Sequence, residues 1–137
     1  LFGEPKDVKY MANIQKDIDT SGVLVLDYGN FKAVCINAKD CKAPNLTSIQ
    51  GDKANIRSEY ASSVIEKVDV IDNKGDKQTY ELDKDSNGLP HYYEYKEFSR
   101  LYLENDLKKA QEYNEFTLLT IKVLESGLKD ADIKFKY

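Results

Sequence analysis

Residues 23–39, VLVLDYGNFKAVCINAK, constrain the fold more than any other stretch. Gly29-Asn30 lies between two apolar runs, and both residues tolerate the positive φ that a two-residue primed turn demands. A β-hairpin with that tip pairs by counting outward. Tyr28 meets Phe31, Leu26 meets Ala33 and Leu24 meets Cys35 on one face. Asp27 meets Lys32, Val25 meets Val34 and Val23 meets Ile36 on the other. The aromatic pair and the opposite-charge pair beside the turn fix the register, each contributing roughly 0.2–1 kcal/mol. Both faces are apolar. An antiparallel sheet with one solvated face alternates apolar and polar residues. This hairpin therefore predicts two covers: helices on one face, and a second subunit, a second domain or a ligand on the other.

With 137 residues the chain is long enough for one domain, residues 1–137, with a proper core. A net charge of −4 and a pI near 5.1 argue against nucleic acid or an anionic membrane as partner. No apolar run approaches the ~20 residues of a membrane span. The start, LFGEPKDV, has no basic region and no small-residue cleavage site, so no signal peptide is expected. Two cysteines fit a reducing, cytoplasmic compartment better than a disulfide framework. Cys35 is expected on the core face and Cys41 in a loop. Neither has a second Cys or a His at metal-ligand spacing. Leu1-Phe2-Gly3 followed by Pro5 reads as a helix end: two apolar residues, a C′ glycine, then a proline. The chain is read as a piece of a longer polypeptide.

Residues 7–16 alternate around Val8, Tyr10, Ala12 and Ile14 and predict a strand, with residues 17–22 as a polar connection into the hairpin. Residues 46–57 predict a second hairpin turning at Gly51-Asp52-Lys53. Residues 65–72 and 77–82 predict a third, turning at residues 73–76. From Pro90 to Leu103 the period becomes helical, through Tyr95, Phe98, Leu101 and Tyr102. A second helix is expected from Glu115 to Lys129 with Asn114 as its N-cap, then a short extended tail over residues 132–137. Strands followed by helices predict an α+β fold: an open, mostly antiparallel sheet of about six strands with two C-terminal helices on one face.

The glycines form no phosphate loop; neither G-x-G-x-x-G nor G-x-x-x-x-G-K occurs. His91 is the only histidine. It reads either as a residue at the helix start or as one lining a cleft beside tyrosines. Asp83, Asp85, Asn87, Gly88 and Glu94 match part of a calcium loop, but Leu89-Pro90 interrupts its backbone and no amphipathic helix enters it, so no metal is expected. The loop over residues 39–45, KDCKAPN, is either a solvated connection or the rim of a pocket for a polyhydroxylated or anionic ligand.

Taken in order, these pieces resemble the C-terminal α/β domain of the Gfo/Idh/MocA oxidoreductases. LFGEP matches its L-x-G-x-P stretch, and SGVLVLDYGNFKAV its S-G-V-L-x-L-x-Y-x-N-x-x-A-V strand pair. IQGDKA matches its I-x-G-x-K-G turn, and YYEYKEF the Y-x-E-x-x-x-F of its closing helices. Ala54 departs from the glycine common after that lysine, and Asn114 from a common Ser. The resemblance covers essentially the whole chain. It implies part of an enzyme that transfers a hydride between NAD or NADP and a sugar-like or polyol substrate. The family binds the dinucleotide on an N-terminal Rossmann domain and uses a Glu-Lys-Pro lysine and a D-x-x-x-H histidine. This chain has no Glu-Lys-Pro, and Asn87 stands four residues before His91. The resemblance therefore implies the substrate-side wall and a homo-oligomerisation sheet, with no catalytic residue and no activity of its own. By the same likeness Lys39, Asp40, Lys42 and Asn45 lie nearest the substrate, with His91 and Tyr92 next. The alternative is a stand-alone module that binds a ligand or protein on its open sheet face.

Overall fold

The computed structural model describes residues 2–61, 64–82, 85–87, 89 and 91–134. Seven strands precede two helices: β1 Asp7–Gln15, β2 Ile18–Asp27, β3 Lys32–Ala38, β4 Thr47–Gln50, β5 Ala54–Ser58, β6 Lys67–Asp72, β7 Lys77–Glu81, α1 Tyr92–Leu103 and α2 Leu107–Asp130. The α+β order is the expected one. The strands form two antiparallel sheets, β1-β2-β3 and β4-β5-β6-β7, where one sheet of about six was expected. The chain folds as two compact units. One comprises residues 1–43 and 107–137, the other residues 44–106.

In the first unit the central hairpin pairs as counted from its turn. Val23 opposes Ile36, Leu24 opposes Cys35, Val25 opposes Val34, Leu26 opposes Ala33 and Asp27 opposes Lys32. Gly29 takes a φ of 91°, Tyr28 and Phe31 stack at 4.6 Å, and Lys32 Nζ reaches Asp27 Oδ1 at 2.6 Å. The connection expected over residues 17–22 is shorter: β2 starts at Ile18. Lys16 and Asp17, with φ of 53° and 64°, turn β1 directly into β2. Two consecutive positive φ values are the signature of a tight primed turn, here without the usual Asn-Gly.

Strand alternation gives this sheet two apolar faces. Val8, Tyr10, Leu24 and Leu26 share one, and α2 lies over it where β1 runs. Gly127 is the one buried residue of α2. A Cβ there would stand 3.0 Å from Leu24 Cδ1, so glycine sets how closely helix and sheet approach. Asp130, at the helix end, accepts from the Tyr10 backbone N–H at 2.8 Å and from Lys9 Nζ at 2.9 Å. This closes part of the free edge of β1, which would otherwise present unpaired donors. The opposite face carries Met11, Val23, Val25, Val34 and Ile36. Met11 is 62% exposed, Val34 57% and Ile36 80%.

Helix α2 begins at Leu107, eight residues before the expected start, and Asn114 lies inside it rather than capping it. Leu, Lys, Ala, Gln and Glu dominate residues 107–112, and these are strong helix formers even where no apolar stripe is visible. Cys35 is exposed, not part of a core. It shares the helix-facing side, but it stands on β3, at the other edge of the sheet from β1. Gly3 has a φ of 75°, the left-handed conformation of a C′ glycine; Leu1 lies outside the described residues. So do residues 135–137 of the expected extended tail, and residues 132–134 form no strand.

In the second unit both expected hairpins are present, with Ile49 opposite Ile56 and Val70 opposite Gln78. Asn73 Nδ2 donates to the Asp52 carbonyl at 2.8 Å and ties the two turns together. Alternation puts Ile49, Ile56, Val68, Val70 and Tyr80 on one face, and Arg57, Asp69, Lys77 and Thr79 on the other. Helix α1 starts at Tyr92; Pro90, its expected first residue, lies outside the described residues. Among the described residues of the whole chain, no hydrophobic side chain is fully buried, so the core expected from chain length is not enclosed.

Candidate functional site

The loop that follows β3 starts from a fixed point. Lys39 donates its backbone N–H to the Thr20 carbonyl at 2.7 Å and its ammonium to Asp19 Oδ1 at 2.7 Å. The other oxygen of Asp19 accepts from the Tyr10 hydroxyl at 2.7 Å. Tyr10, Asp19 and Lys39 thus form a continuous polar chain at one end of the first sheet. The Lys39 ammonium and the Tyr10 hydroxyl, in that order, hold the Asp19 carboxyl below the ordinary carboxylate range. Partial burial, and then the bond to Asp19, push the Tyr10 phenol above its ordinary value. The two shifts agree: both describe a neutral phenol donating to an ionised carboxylate. Asp40 and Lys42 follow on the exposed loop of this unit.

Asn45, His91 and Tyr92 belong to the second unit. Asn45 is exposed. His91 stands at the N-cap of α1 with a φ of 62°, uncommon for a residue with a side chain, and makes no capping bond. Its Nδ1 donates to Glu94 Oε2 at 2.7 Å. Together with Tyr95 and Phe98 these two line a shallow cleft of about 460 Å³. Tyr92 instead meets Tyr93 edge-on at 5.2 Å, with Lys96 Nζ 5.7 Å from its ring centre. Asp83 and Gly88, which the calcium-loop pattern needs, lie outside the described residues.

A larger cleft, of about 500 Å³, opens on the ionic face of the second sheet. Two of its cations are engaged locally: Arg57 with Glu59 at 2.6 Å and Lys77 with Asp69 at 2.6 Å. Lys77, and then Thr79, hold the Asp69 carboxyl below its usual range. Sequence reasoning named Lys39 but missed Asp19 and Tyr10. The one local hint was Gly22 at the head of the apolar run VLVL, since a strand glycine marks a bulge or a close approach, but it names neither residue.

No family model matches the chain. Scyllo-inositol 2-dehydrogenase (NADP(+)) IolU of Bacillus subtilis (strain 168) is 29% identical over 138 residues, spanning 98% of this chain and 40% of that protein. The uncharacterized oxidoreductase YgjR of Escherichia coli (strain K12) is 38% identical over 63 residues, 45% of this chain and 19% of that protein. The chain is related to oxidoreductases. It spans less than half the length of either relative. A partial match to two oxidoreductases is what a resemblance to a Gfo/Idh/MocA C-terminal domain implies. No helix among the described residues is long and apolar enough to cross a membrane.

Proposed function

We propose that this chain is the substrate-side, subunit-pairing domain of a cytoplasmic NAD(P)-dependent oxidoreductase acting on a sugar-like or polyol substrate. The observation that carries this reading is the similarity to an inositol dehydrogenase along 98% of the chain. The coenzyme in that relative's name is NADP(+), which favours NADP here. The chain's own glycines form no G-x-G-x-x-G turn, the fingerprint of a dinucleotide-binding strand–helix junction. In this reading the coenzyme and the catalytic residues sit on an N-terminal Rossmann domain of the full-length enzyme. The role left to this chain is to orient the substrate and exclude water from it. Lys39, Asp40, Lys42 and Asn45 supply hydrogen-bond donors and acceptors on the substrate side, with His91 and Tyr92 in support. The open face of Met11, Val34 and Ile36 pairs subunits.

The test is turnover by the full-length product of the gene that encodes this chain. NADP(+) reduction driven by scyllo-inositol, with this chain alone inert, is the expected result. Absence of coenzyme-dependent oxidation across inositols, sugars and linear polyols, with either NAD or NADP, overturns the reading.

A further inference from the structure

The three-residue chain of Tyr10, Asp19 and Lys39 is held by an irregularity in the sheet. The β1–β2 register runs Asn13 to Ser21 and then Ile14 to Asp19, so Thr20 is an extra residue. In a regular strand, residues 19 and 22 point to opposite faces. The bulge at Thr20 reverses Asp19, because its partner Ile14 has the same parity as Tyr10. β-Bulges re-aim single side chains in this way and are enriched beside functional sites. The same bulge residue supplies the carbonyl that binds the Lys39 N–H.

Gly22 completes the arrangement. A Cβ at that position would lie 2.5 Å from Tyr10 Cε2 and 2.8 Å from its hydroxyl oxygen. Only the bare backbone lets the ring lie where its hydroxyl reaches Asp19. A half-exposed ion pair adds little to stability on its own. A bulge and a strand glycine both weaken a sheet. Their joint presence around one pair therefore points to a ligand.

The chemistry left over defines that ligand. A carboxylate has about four lone-pair sites, and an ammonium three donors. Asp19 spends two of its sites on Tyr10 and Lys39, and Lys39 spends one donor on Asp19. The Lys39 side chain is 56% exposed and that of Asp19 21%. A donor and an acceptor thus stand side by side, their charges balanced. We propose that Asp19 and Lys39, backed by Tyr10, bind two adjacent hydroxyls of a polyol: one accepts from the Lys39 ammonium, the other donates to the Asp19 carboxylate. Tyr10 is a positioning residue. This inference rests on the substrate-side reading above and gives it a specific pair of contacts.

The test has two arms. In the first, the chain is titrated with scyllo-inositol as probe while its amide and side-chain resonances are followed. Shifts confined to residues 10, 19–22 and 39 are expected, and Asp19→Asn and Lys39→Met abolish them. In the second, KM and kcat of the full-length enzyme are compared. Asp19→Asn raises KM about tenfold, the loss of one charged hydrogen bond, while kcat stays within about threefold. Tyr10→Phe raises KM less. Asp19→Glu recovers part of the loss, which a merely structural role does not require. Lys39→Met replaces a well-exposed side chain and keeps the test decisive if Asp19→Asn does not fold. Shifts elsewhere, no shifts, or variants that bind like the wild type overturn the inference. A wild-type enzyme that turns over no polyol overturns the oxidoreductase reading, and the titration still decides the site.

Discussion

Met11, Val34 and Ile36 stand on an open face of the three-stranded sheet, where the four-stranded sheet carries Arg57, Asp69 and Lys77. Each sheet has one plainly apolar side. They differ in the other. The second sheet's other face is ionic and pairs its own groups around Asp69, with Lys77 bonded to it at 2.6 Å and Thr79 to the same carboxylate at 2.7 Å. Water suits such a face. The first sheet is apolar on both sides, and α2 covers one of them along β1. The difference teaches that one sheet turns an ionic face to water while the other turns an apolar one, with Met11 62%, Val34 57% and Ile36 80% exposed, and it is this second apolar face that the proposal above assigns to subunit pairing.

The comparison can be broken most forcefully within the first sheet. Gly22→Ala places a Cβ 2.5 Å from Tyr10 Cε2 and 2.9 Å from the Met11 carbonyl oxygen, so the Tyr10 ring and the β1 backbone must shift. We expect a loss of about 2 kcal/mol in denaturant unfolding, typical of overpacking. An unchanged midpoint would mean that Tyr10 moves aside freely and that the polar chain is not fixed. Next comes Leu24→Ala, beneath Gly127. Because Leu24 is only half-buried, the expected cost is about 1–2 kcal/mol, below the usual range for a closed core. A larger cost would show that the chain encloses this residue more fully in solution.

A smaller effect is read through pH. The folded-state pKa of Asp19 is lowered by Lys39 and Tyr10. Its contribution to stability is therefore full above the ordinary carboxylate value of about 4 and is lost as pH falls through the lowered pKa. The melting-temperature gap between wild type and Asp19→Asn should shrink across that acid window. A gap that stays constant contradicts the ion pair. Tyr10 has the opposite sign: its pKa is raised, so its contribution holds below about 10 and fades as pH rises through the raised value. Tyr10→Phe removes that alkaline decline. The smallest effect belongs to the second sheet. Lys77→Ala should barely change its melting temperature, and the difference should vanish near 1 M salt, where exposed charges are screened.

Much of the first sheet was legible because one Gly-Asn turn fixes a whole register. Five cross-strand pairs between Val23–Asp27 and Lys32–Ile36 followed from it by counting. The turn at Lys16-Asp17 was not legible, since neither residue advertises positive φ. Helix α2 was entered late because its first two turns are solvated and lack an apolar stripe. Lys39 could be singled out by type and place. Asp19 could not, because residues 17–22 read as a polar connection, and even as a strand strict alternation would put Asp19 on the face opposite Tyr10 without the bulge at Thr20. A bulge is an event of pairing between strands and leaves little trace in either one alone.

The most direct test of the open face is the mass of the chain in solution, by sedimentation over a range of concentrations, for wild type and Ile36→Asp. The wild type is expected to form dimers or larger oligomers as concentration rises, and Ile36→Asp, with a charge in place of the most exposed side chain of the apolar face, to sediment as a monomer throughout. A wild-type chain that remains monomeric at every concentration would contradict the account, and so would an Ile36→Asp chain that associates as strongly as the wild type.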